Sequence, residues 1–174
     1  MFNANEFSVG TGTNVPLASE GAARYAAQMG QSRPSRYDNV LVNLPQAHQI
    51  ASDYMAAPAY DRLAEPSYRA LAEETKRQFD YMTKPVHKGG LGIDVKVQDE
   101  DPYQKPSGAP DPKGMMNDVA DRRIKVLSTA ATGGHPLLSN DENDMFRAVH
   151  DVFGHSATGR AFDAHGEEAA YRSH

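Results

Sequence analysis

The chain contains no cysteine and no tryptophan among its 174 residues. Without cysteine there is no disulfide scaffold, no thiolate zinc site and no cysteine nucleophile. Apolar residues are also scarce, at 39%, below the ~45–50% usual in globular chains. That suffices for one modest core. No apolar run approaches the ~18–20 residues of a membrane span. The N-terminus lacks the basic-then-apolar layout of a secretory signal, so neither a membrane nor signal-peptide export is expected. Positive charge is short as well: 18 Lys and Arg stand against 23 Asp and Glu, a net −5. With no basic stripe, direct nucleic-acid binding is not expected. Histidine is present in local excess. His135, His150, His155, His165 and His174, five of the seven, lie in the last 40 residues, where an even spread would put fewer than two.

Residues 1–36 read as an extended, partly helical arm, rich in Asn, Ala, Gly, Ser and Thr. Such a stretch buries too little apolar surface to offset its ordering entropy. The expectation is an arm held by other protein subunits, with a short helix over 19–29 capped by Ser19. A helix packed on its own domain is the alternative. Residues 37–174 read as one α+β domain, mainly helical with a small two- or three-stranded sheet. Ala47, Ile50, Ala51 and Tyr54 recur at helical spacing. Pro66 opens a helix over 66–83 whose buried stripe is Tyr68, Leu71, Ala72, Thr75, Phe79 and Met82. Strands are expected at 93–97 and 124–129. Between them, 99–114 holds four Pro and two Gly, a loop long enough to suggest function. A short helix over 115–123 follows. Helices 140–153 and 161–174 complete the domain, and with 66–83 they are expected to pack over the sheet.

The chemistry concentrates after Ser139. Ser139 or Asn140 caps a helix, and Asp141, Glu142 and Asp144 suit the positive end of its dipole. His150 and His155 lie five apart. On a continuous α-helix that spacing puts them about 140° apart, so they could not share a metal. Gly154 resolves this on one reading, by stopping the helix in a left-handed conformation and folding His155 back. Two imidazoles and a carboxylate make the facial triad that suits Fe(II), and Zn is equally allowed. Glu168, on a face with His165 and Arg172, is the expected third ligand. Glu167, on a face with Tyr171 and His174, is the alternative, and spacing does not choose. Asp151 lies about 100° from His150 on an α-helix, which suits an outer role. Arg147 and Arg160 flank the pair and could hold an anionic group, although structural ion pairs are the more ordinary reading. His48, His87 and His135 read as structural.

Two resemblances follow. His150-Asp151-Val152-Phe153-Gly154-His155 resembles the iron-binding segment of the pterin-dependent aromatic amino acid hydroxylases. That resemblance implies His150 and His155 as iron ligands, although Ser156-Ala157-Thr158 stands where that family continues V-P-L. A wider stretch is similar to a bacteriophage domain of unknown function, also found in polyvalent phage proteins. It is carried by Asp101-Pro102-Tyr103, by Met115-Met116-Asn117-Asp118-Val119, by the run from Asn143 to His155 and by the run from Gly166 to His174. The resemblance implies a location in host cytoplasm or virion. It also implies a further segment after His174 bearing a Glu suited to be a third ligand. The helical pattern running to His174 without a stop signal agrees with that expectation. The expected function is therefore a phage-encoded metal-binding domain. As an enzyme it would be a metal-dependent oxygenase, hydroxylase or hydrolase. The alternative is a structural or accessory protein of a phage particle.

Overall fold

The computed structural model describes residues 14–34, 37 and 43–174. Residues 1–13 and 35–36 of the expected arm lie outside the described residues. The architecture is α+β, mainly helical with a two-stranded sheet. Among the described residues no helix is long and apolar enough to cross a membrane.

Helix α1 spans Pro16–Gln28, with Pro at its first turn, where the missing N–H costs nothing. Val15, Ala18, Ala22 and Tyr25 recur at helical spacing and are all buried. Within the expected 1–36 arm, residues 16–28 take the alternative of a helix packed on its own domain, in the core of its own chain. The helix cap is Val15 and not Ser19. The composition misled because a narrow stripe of alanines counts for little in a total, yet lets a helix pack closely.

Helix α2, Leu44–Ala56, is capped by the Asn43 side chain, which accepts from the Gln46 amide. None of its residues is buried. Helix α3, Glu65–Thr83, buries Ala72, Thr75, Gln78 and Met82. Leu71, expected in that stripe, is exposed, and Phe79 is only partly buried.

Strands β1, Asp94–Gln98, and β2, Arg123–Leu127, pair in parallel, with Val95 opposite Ile124 and Val97 opposite Val126. Parallel pairing needs a crossover. Helix α4, Pro112–Ala120, supplies it, starting at an Asp111 cap. Ile124 and Val126 are buried, whereas Val97 is exposed. The Pro-rich segment before α4 is not structureless: Gln104 and Pro110 form an antiparallel bridge. Tyr103 is buried there, its hydroxyl donating to Asp118 and accepting from the Lys125 amide.

Helix α5, Asn140–Val149, starts with a reciprocal cap in which Ser139 Oγ accepts from the Glu142 amide and Glu142 accepts from the Ser139 amide. Asp144 goes beyond capping. It accepts from the amide and hydroxyl of buried Thr129, tying α5 to the segment after β2. Helix α6 spans Ala164–Ser173 from an Asp163 cap. Of the three helices expected over the sheet, α5 packs on β2; α3 lies chiefly against α5, and α6 chiefly against the segment following α5. The core joins α1, α4, both strands and that segment, with Met82 of α3 and Phe153 at its centre.

Met82→Ala removes a fully buried side chain, and its expected cost is about 2–5 kcal/mol in urea unfolding. Ile50→Ala, on exposed α2, is expected to shift stability by no more than about 0.5 kcal/mol. Equal effects at the two positions would contradict this core.

Candidate metal centre

Helix α5 does not stop at Gly154. The chain widens into a π-helix over His150–Ser156 and stays helical. The left-handed stop falls later, at Gly159 with φ 71°. A π-turn closes from i to i+5, so residues five apart come into register. His150 and His155 are thereby brought onto one face by a wider turn and not by a chain break. Their Nε2 atoms lie 3.0 Å apart.

Gly154 has a different role from the one expected. A Cβ there would lie 2.7 Å from Ala170 Cβ and 3.2 Å from Ala170 Cα. Its missing side chain lets α6 press against the π-turn. That contact delivers Glu167, whose two oxygens lie 3.2 Å from His150 Nε2 and 3.4 Å from His155 Nε2. Donor atoms held about 2.0–2.1 Å from one ion are spaced about 3.0–3.4 Å apart. All three separations fall in that range.

The remaining ring nitrogens are anchored. His155 Nδ1 lies 3.3 Å from the Arg160 carbonyl, which can only accept, so Nδ1 carries the proton and Nε2 is left as a lone pair. His150 Nδ1 lies 3.1 Å from His174 Nε2. Burial pushes His174 down to about 4, so this ring is neutral near pH 7. A His150 that ligates through Nε2 donates from Nδ1 to His174. Outer partners of this kind fix ligand orientation. Rings pack around the pair: Phe146 stacks on His150 at 5.9 Å, and Phe162 meets His155 edge-on at 4.9 Å.

Asp151 joins the pair, with one ligand atom from each of His150, Asp151 and His155 all within 4.8 Å of one another. This group could hold a metal ion. Burial pushes the Asp151 carboxyl up to about 6, against the pull of His155 and His150. The adjoining rings of His150 and His155 hold the Glu167 carboxyl well below the usual carboxylate range, against a smaller opposing effect of burial. Two carboxylates beside two imidazoles therefore favour a positive charge at their centre, and a divalent ion would supply it.

The expected ligands divide. His150 and His155 converge. Glu168 does not: it pairs with Arg172 at 2.6 Å. Glu167, one residue and one helix face away, lies beside both imidazoles. His174 and Asp151 were under-read. The shared face of Glu167 and His174 was a usable signal for the first; the second needed the π-turn. His165 is half-buried outside the cluster. His135 accepts from the Leu137 and Leu138 amides and packs on Tyr68, a structural role. Comparison with protein-family models, curated proteins and solved structures gave no match.

Gly154→Ala is expected to destabilise the protein by about 1–3 kcal/mol through overpacking on Ala170. Ala170→Gly in the same chain should restore part of that loss. A neutral Gly154→Ala would contradict the close approach of α6.

Proposed function

We propose that this protein is a metal-dependent domain holding one divalent ion, Fe(II) or Zn, through His150 Nε2, His155 Nε2 and Glu167, with Asp151 beside it. One observation carries the reading: two imidazole lone pairs and a carboxylate converge at ligand spacing, while the outer ring nitrogens are held by Arg160 and His174. The donor set is nitrogen and oxygen only, as a chain without cysteine requires. Two imidazoles and one carboxylate match Fe(II) centres that keep positions open, and also three-ligand zinc sites.

A cleft of about 330 Å³ opens onto the cluster. An ion bound there supplies Lewis acidity and places for water or dioxygen to bind. The chain's own residues shape the rest. Phe146 and Phe162 wall the cleft and limit water at the imidazoles. Asp151 lines it beside the two imidazoles. This supports a metal-dependent oxygenase, hydroxylase or hydrolase. The resemblance to the phage domain of unknown function supports a phage origin, with host cytoplasm or virion as its place. The alternative is a particle protein gripping other subunits through residues 1–36, of which 16–28 form a helix packed in its own chain.

Freshly purified protein is expected to carry about one equivalent of metal by elemental analysis. The double variant His150→Ala/His155→Ala should carry none. Glu167→Ala should weaken zinc binding by roughly tenfold or more, and Glu168→Ala should leave it unchanged. Absence of uptake on titration with Fe(II) and Zn, or an effect of Glu168 in place of Glu167, would contradict the proposal.

A further inference from the structure

The cleft beside the cluster is at the small end of ligand-site volumes. Its walls are largely apolar, with Tyr103, Val126, Phe146 and Phe162 prominent. Two cations reach it, Lys125 and Arg147. Lys125 is already committed, its Nζ lying 3.1 Å from the Asp118 carboxylate. Arg147 differs. Among the described residues it forms no ion pair, and its one side-chain hydrogen bond runs from Nη2 to the Thr132 hydroxyl at 3.2 Å. Thr132 neutralises no charge and occupies one of five N–H donors. The hydroxyl steadies the guanidinium and leaves the rest of its fork for a ligand.

Position adds to this. Arg147 stands three residues before His150, one helical turn away, with Cβ atoms about 5–6 Å apart. An anion on Arg147 would place its attached atoms beside the imidazoles. The cleft also carries Asp101, Asp151 and Glu167. A second negative group on the ligand would meet those carboxylates, so a single anionic group is favoured.

We propose that Arg147 is the anion anchor of the cleft, and that the substrate is a small organic molecule with an apolar body and one anionic group, a carboxylate or a phosphate. Arginine suits this role because its planar fork binds either group through two parallel hydrogen bonds. The claim rests on the metal reading for the fate of the substrate's other end. Anion capture itself does not need the ion.

The probes are benzoate, phenyl phosphate and neutral benzamide, titrated into the whole chain and followed by NMR, with and without added zinc. Benzoate or phenyl phosphate is expected to bind saturably, about tenfold or more tighter than benzamide. Whichever of the two binds tighter names the anion. Arg147→Gln should erase the preference over benzamide, and Arg147→Lys should keep part of it. Circular dichroism confirms that both variants are folded. Equal binding of benzoate, phenyl phosphate and benzamide to the wild type would overturn the proposal. So would anion binding by Arg147→Gln at wild-type strength, which would assign the anion to the ion or to Lys125. Zinc content measured in parallel separates the two claims. Preferential anion binding without zinc uptake keeps the anchor and removes the metal reading. Zinc uptake without anion preference does the reverse.

Discussion

The site depends on a helical turn that is one residue too wide. From His150 to Ser156 the chain is π-helical, and this alone brings two histidines five apart onto one face. A regular α-helix would set their rings about 140° apart; Asp151 and His155, four apart, would still share a face, but His150 would not join them. The turn is held from outside. Helix α6 presses on it through the contact of Gly154 with Ala170, α1 covers it, and the Val15 amide donates to the Ser156 carbonyl at 2.8 Å. Packing therefore supports a backbone form that is rare because its intrinsic hydrogen bonding is poor. π-turns are found frequently at functional sites.

The electrostatics of the cluster follow from that geometry. Once the two Nε2 atoms are 3.0 Å apart, they cannot both remain bare lone pairs without a cation or a proton between them. Glu167 adds a negative group from α6, and Asp151, crowded by protein, adds a second, so the pull toward a positive charge grows. The outer nitrogens are taken by the Arg160 carbonyl and by His174, so little rotational freedom is left to either ring. A cleft with aromatic walls lies on one side of this cluster, and Arg147 reaches the same space.

The sequence made much of the fold legible. The long α3 helix, the two strands and the capped start of α5 stand within a residue or two of where periodicity and capping residues put them. The pairing of His150 with His155 was legible too, because H-x4-H with an intervening Gly is an unusual pattern. Its geometry was not. Periodicity distinguishes a helix from a strand, but nothing in Val152-Phe153-Gly154 marks a π-turn, and the Gly was read as a stop. Glu167 and Glu168 differ by about 100° of helix, and only the seat of α6 on Ala170 decides which meets the imidazoles. Helix α1 was hidden for another reason: its buried stripe is largely alanine, which composition counts treat as weakly apolar.

The central claim is that one ion sits between two π-turn imidazoles and Glu167. Diffraction from the metal-loaded protein at the zinc or iron absorption edge tests it most directly. The account predicts a single anomalous peak about 2.0–2.2 Å from His150 Nε2, His155 Nε2 and a Glu167 oxygen. A peak elsewhere, or no peak within ligand distance of both imidazoles, would contradict it.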